Sequence, residues 1–336
     1  MPIQENWQRS YRIVFGTFER DLTDYNQTQL SASSGIPAAF IPKQTDNQTI
    51  PSDALIMSNL VEDGNDLRGF TFELNTTRSL EKANRNTETT TINLYNLDAR
   101  TLDVLQKEGA IMQCYAGYGG RVTLAYAGDI VKVVPIQSGS DSVYQITCKD
   151  GGNDEKNTKI AINYIEGTTD RDIILDLVNR YPGTTLGTYD LSTLSDRVET
   201  GGRSFSGKLV TSLSKFMDTQ GLKWGRFNNK FIIAPYRLDD EFSPVTIYRD
   251  VYQLTPSLIK TIGSQNSNGK KESADKTPNE GVVVNTYYIP IELGQYFTIP
   301  PEASPYYAGT YQANRIKTTL QSQGGLWDVA ITGTKI

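Results

Sequence analysis

Residues 86–134 read NTETTTINLYNLDARTLDVLQKEGAIMQCYAGYGGRVTLAYAGDIVKVV. Ile92 and Leu94 alternate with polar neighbours, as in a strand with one buried face. Asp98 stands where a helix N-cap belongs, Leu102 and Leu105 are spaced to share a helical face, and Gly109 supplies a left-handed stop. The remainder gives two strands about a glycine-rich turn at Gly119-Gly120, then a third strand after Gly128-Asp129. GYGG at 117–120 is a turn and not a phosphate loop. No Lys-Ser/Thr follows it, and Arg121-Val122-Thr123-Leu124 continues as strand where a helix N-terminus would have to face the anion.

Outward from this stretch the strand pattern persists. Upstream, Arg12–Phe18 alternates with Ile13 and Phe15 on one face, and RGFTFELNTTRS places Phe70, Phe72 and Leu74 together. Between them, residues 20–56 form a polar, aperiodic excursion, read as a partner-binding segment or one ordered only by a partner. Downstream, SDSVYQITCKDG adds a strand with Tyr144, Ile146 and Cys148 alternating. Residues 1–155 are therefore read as one antiparallel β-barrel domain, since closure would remove its edge strands.

The texture changes after the polar joint GGNDEKNTK. In TTDRDIILDLVNRYPG, Thr169 or Asp170 caps a helix with the stripe Ile173, Ile174, Leu177 and Val178, ended by Pro182-Gly183. A second helix is predicted from about Ser206 to Thr219, with Leu209, Val210, Leu213 and Phe216 on one face. LKWGRFNNKFIIAPY reads as a hairpin about Asn228-Asn229, so residues 156–248 form a small α/β domain. Residues 249–336 return to strands: VVVNTYYIPI, GQYFTIP, TYQANRIKTTLQ and LWDVAITG, the last two joined at Gly324-Gly325. A polar run at 263–281 reads as a flexible loop. The fold class is mainly β, two tube-like antiparallel barrels flanking a small α/β domain.

Composition removes whole classes of chemistry. The 336 residues contain no histidine, which excludes His-based triads, Cys-His dyads and His metal sites. The formal net charge of −5 argues against a grip on nucleic acid through counterion release. The two cysteines, Cys114 and Cys148, cannot make a four-ligand zinc site, and whether they pair is left open. No signal peptide and no membrane-spanning run is visible, so synthesis in the cytoplasm and no membrane insertion are expected, and the Asn-x-Thr triplets at Asn26, Asn47 and Asn75 read as surface. Glu5, Glu73, Asp239, Asp240 and Glu241 are the available acids, but nothing in their spacing makes them converge. SGSDS at 138–142 is read as a hairpin turn and not a cation loop. No catalytic, cofactor-binding or metal residue is assigned, and no cofactor is expected.

The order of segments resembles the phage tail baseplate hub protein family. There a strand ending I.LYNL leads through a short helix to an AGYGG turn and a GDI strand, matched here by Ile92, Leu94, Tyr95, Asn96, Leu97, Gly109, Ala116, Gly117, Tyr118, Gly119, Gly128 and Ile130. GRSFSGKLVTSLSKFMDTQGLKWGRFNNKFIIAP is similar to the family's middle domain, and residues from VVVNTYYIPI to the Gly-x-Trp hairpin are similar to its C-terminal barrel. The histidine usual in that last hairpin is missing, with Thr318 to Leu320 in its place, and the 20–56 insertion is not a family constant.

The resemblance implies a structural, non-enzymatic virion protein. It would be a homotrimer that adapts a hexameric tail tube to a trimeric central spike and forms part of the DNA channel. Its partners would be the spike, a tube or tube-initiator protein, baseplate wedge proteins and, transiently, DNA. Phe40, Ile41 and Pro42 in the insertion and Lys270 and Lys271 in the later loop are the candidate partner contacts. The competing reading is a receptor- or carbohydrate-binding β-protein of the tail tip, which the Tyr/Asn/Thr-rich loops would also suit.

Overall fold

The computed structural model describes residues 8–17, 54–60, 70–80, 89–138, 141–150, 158–181, 185–186, 194, 196–198, 200–228, 230–235, 251–264 and 281–336. Strands dominate. The N-terminal region contributes β1 (Arg9–Gly16), β2 (Leu55–Ser58), β3 (Phe72–Ser79), β4 (Thr89–Tyr95), helix α1 (Ala99–Leu105), β5 (Ile111–Tyr118), β6 (Arg121–Ser138) and β7 (Asp141–Lys149). The middle holds β8 (Lys159–Tyr164), α2 (Asp170–Asn179), β9 (Thr185–Leu186), β10 (Arg203–Lys208), α3 (Leu209–Thr219), β11 (Leu222–Phe227) and β12 (Lys230–Pro235). The C-terminal region has β13 (Tyr252–Gln253), β14 (Ile259–Ser264), β15 (Val282–Tyr287), β16 (Tyr296–Ile299), β17 (Gly309–Gln321) and β18 (Trp327–Lys335).

The mainly β class holds, but the two β-regions are not separate sheets. One hydrogen-bonded sheet runs β14-β15-β18-β17-β3-β4-β7-β6-β5-β1-β2, with β16 and β13 attached beside β17. Among the described strands its two ends do not pair with each other. The alternation read from the sequence makes its core: Ile13, Phe15, Phe72, Leu74, Ile92, Leu94, Ile146, Val284, Leu320 and Ile331 are buried together. The middle region has its own core of Ile173, Ile174, Leu177, Leu213, Phe216 and Met217 against Trp224 and Phe231, whose rings stack at 4.6 Å. β12 is buried on both faces, with Phe231 and Ile233 in the small core and Ile232 and Ala234 in the large one.

Local signals place the starts of α1 and α2. Asp98 Oδ1 accepts from the Thr101 amide at 2.7 Å to cap α1, and Gly109 has φ 76°. Thr169 caps α2, accepting from the Asp172 amide at 3.1 Å and donating to the Asp172 carboxylate at 2.7 Å. Tyr118 and Arg121 pair across Gly119 and Gly120, both at positive φ as a tight hairpin turn requires.

Four readings need correction, the first being the loop read at 263–281, whose Gly263 and Ser264 belong to β14 and pair with Val283 and Val282 of β15. Gly128-Asp129 is no turn, because β6 runs straight through it, pairing β5 up to Asp129 and β7 from Asp129 onward. The glycine is there for close approach: a Cβ would lie 2.3 Å from the Tyr126 hydroxyl and 2.8 Å from the Lys149 carbonyl. The helix expected from Ser206 begins at Leu209, since Gly207 at φ 103° and extended Lys208 finish β10. Leu55 and Ile56, assigned to the aperiodic excursion, belong to β2, which pairs β1.

Candidate assembly site

With no catalytic residue assigned from the sequence, the informative geometry is how the described parts of the chain join. The two β-regions meet where β17 pairs β3 over seven residues, from Arg315 opposite Ser79 to Gln321 opposite Glu73. On the solvent face a row of amides crosses this seam. Gln145 donates to Asn93 at 3.4 Å, Asn93 to Glu73 at 3.4 Å, and Gln321 to Glu73 at 3.5 Å. Glu73 is therefore occupied holding strands together. One row along, the Thr319 hydroxyl donates to Asn75 Oδ1 at 3.2 Å.

Both ends of the seam are locked by arginines. Arg9 donates to the carbonyls of Gln321 and Gly325 at 2.9 Å each and to that of Gly324, and lies 5.7 Å from the Trp327 ring, tying the first strand to the last hairpin. Arg78 is buried between the Tyr126 and Phe227 rings, at 4.6 and 4.5 Å. Its guanidinium donates to the Ala125 carbonyl at 3.2 Å and to Asn228 Oδ1 at 2.8 Å. The same Asn228 oxygen accepts from the Ala127 amide at 3.0 Å. Asn228 sits at φ 52° in the turn joining β11 to β12, so a turn residue of the small α/β unit is spent on docking that unit against β3 and β6. Sequence reasoning missed this junction. Its signal is Arg78 itself, a charged residue in phase with the buried Leu74 and Thr76.

The remaining predicted residues are placed as follows. Phe40, Ile41, Pro42, Lys270 and Lys271 lie outside the described residues, as do Glu5, Asp239, Asp240 and Glu241. Among the described residues no group of three or more Cys, Asp or Glu side chains could hold a metal ion. Cys114 and Cys148 are free and fully buried, and burial pushes the Cys114 thiol up to about 12 and that of Cys148 higher still. Neither is a reactive thiol. Two exposed apolar side chains, Val131 and Ile136, flank the second half of β6.

The fold is similar to that of a type VI secretion system component and of a chain in a PdpA-VgrG complex. The E. coli c3393 protein is a component of the type VI secretion system, described as structurally similar to the T4 bacteriophage tail proteins gp27 and gp5. It aligns with a TM-score of 0.51 at 9% identity, over 80% of this chain and 74% of that one. A chain of the lidless Francisella PdpA-VgrG complex aligns at 0.51 and 8% identity, over 98% of this chain and 65% of that one. The 43 kDa tail protein of prophage MuSo2 from Shewanella oneidensis gives 0.49 at 11% identity, over 80% and 94%. No protein-family model matches the sequence, and no curated protein matches it in sequence.

Proposed function

We propose that this chain is a structural hub protein of a phage tail or related injection machine. It acts as a homotrimeric adaptor between a hexameric tube and a trimeric spike, and encloses part of the channel through which DNA passes. The observation that carries the reading is the shared fold with a secretion-system component described as similar to tail proteins, over most of both chains. The joined sheet supports it physically. Two β-regions held edge to edge with a common polar face suit a wall element, and burying edges between copies removes the aggregation hazard of open strands. The division at 1–155, 156–248 and 249–336, a location in the tail baseplate, contacts with wedge proteins, and residues 40–42 and 270–271 as partner contacts belong to the same proposal. No catalysis is assigned. Electron microscopy of the purified protein tests it: threefold rings with a central opening are expected, and solitary particles at all concentrations would contradict it.

A further inference from the structure

One surface of the small α/β unit carries an electrostatic conflict that no described residue relieves. β8 and β10 form a two-stranded ribbon, and among the described residues each pairs only with the other. Alternation gives the ribbon two faces. On the inner face Ile160, Ile162, Tyr164 and Phe205 pack against the small core, the Phe205 ring lying 5.8 Å from that of Tyr164 and 5.5 Å from that of Phe216. The outer face is built of cross-strand pairs: Lys159 opposite Lys208, Ala161 opposite Ser206 and Asn163 opposite Ser204. All of these outer residues are exposed.

Two features set this face apart from an ordinary solvated one. Its lysines stand directly opposite each other, with Cβ atoms about 5 Å apart, an arrangement that destabilises an antiparallel pair. Neither lysine enters an ion pair among the described residues, and the face holds no acid. Beyond the lysines the side chains are small, so the strand backbones are open to close approach. A ribbon that only covered the small core would gain stability from an acid at either lysine position. This one holds two positive charges together instead.

We infer that the outer face of the β8–β10 ribbon is a docking surface for an acidic segment of a partner protein, a carboxylate of which sits between Lys159 and Lys208. Charge complementarity identifies the occupant. One carboxylate accepts from both ammonium groups and turns a repulsive pair into a bridged one. Ala161, Ser204 and Ser206 let the segment come close, and Asn163 with the two serines offers it hydrogen-bond partners. Nucleic acid is a poor match, because two cations on a chain of formal net charge −5 release too few counterions to hold it. The lysine pair carries this inference, which does not depend on the hub reading.

Titrating the full chain into a fluorescein-labelled oligoglutamate peptide, followed by fluorescence anisotropy, tests it. Saturable binding that weakens as salt is raised is expected, with no binding of an oligoglutamine peptide of the same length. Lys159→Glu and Lys208→Glu should each weaken binding about tenfold, and Lys215→Glu, at an exposed lysine of α3 in the same unit, about twofold or less. Lys159→Glu also turns the like pair into an opposite one. It should therefore raise the urea midpoint while binding falls, a split that a purely structural lysine would not give. Absence of saturable binding overturns the inference. So does an equal loss in all three variants, which would mean attraction to net charge alone. A single-stranded oligodeoxynucleotide that binds more tightly than the peptide through the same lysines overturns it too, assigning the face to nucleic acid. Light scattering on the same samples reads the hub proposal separately: a trimer that binds no peptide removes this surface and keeps the hub, and a monomer that binds it does the reverse.

Discussion

In the small α/β unit, the elements that pack together are neighbours in the chain: α2, α3 and the β11–β12 hairpin all fall between residues 170 and 235. In the long sheet, β3 at residues 72–79 finds its partner in β17 at 309–321. The first arrangement is specified by periodicity and caps, which act over a few residues. The second is specified by which edges remain unpaired after each local hairpin has formed, and closing so long a loop is slow and entropically costly. The contrast teaches that here the features joining the two β-regions are the non-local ones.

The most severe way to break the comparison is to empty each core separately. Trp224→Ala in the small core and Trp327→Ala in the large one should each cost about 3–5 kcal/mol. If the two cores are distinct cooperative units, calorimetry of Trp224→Ala will show an early partial transition, whereas Trp327→Ala will lower the main one. A single transition shifted equally in both variants would mean that β12, buried in both cores, makes them one unit.

The junction between the units comes next in size. Asn228→Ala removes the acceptor shared by Arg78 and the Ala127 amide and forces alanine to φ 52°, so a loss of about 2–4 kcal/mol in urea unfolding is expected. Asn228→Gly keeps the backbone and should lose about 1–2 kcal/mol, isolating the hydrogen bonds. Equal losses would show that the docking hydrogen bonds alone set the cost, whereas a Gly variant as stable as the parent chain would show that strain, and not docking, sets it. A purely local change is smaller: Asp98→Ala, which removes the α1 cap, should lower the midpoint of the same unfolding curve only slightly.

The smallest effect at neutral pH lies in the buried tyrosines. Burial raises the Tyr11 phenol to about 12 and those of Tyr118, Tyr126 and Tyr288 further. These phenols stay protonated in the folded chain above pH 10, where the unfolded chain releases its protons, so stability falls as pH rises through about 10. Ultraviolet titration should show one group of tyrosines ionising near pH 10 and a second only on unfolding. One smooth transition would contradict their burial.

Much of the fold was legible where chemistry is local. Asp98, Thr169, Gly119-Gly120, Asn228 and Gly324-Gly325 mark caps and turns because left-handed backbone and orphan amides demand such residues. Gly128 misled because a glycine needed for close approach inside a strand looks the same in sequence as one needed for a turn. Of the assembly site, the aromatic and threonine-rich strands were visible but the seam was not. Nothing in Ser79 or Arg315 names the other, and their pairing follows only from the whole strand order. Likewise, Arg9 carries no local mark of its bond to a hairpin more than three hundred residues away.

The central claim is the proposed one, that this chain is a homotrimeric hub protein. Light scattering over a concentration series measures it directly. A species at three times the 37.4 kDa chain mass, persisting on dilution, is the predicted result. A species at the chain mass throughout the series would contradict the account.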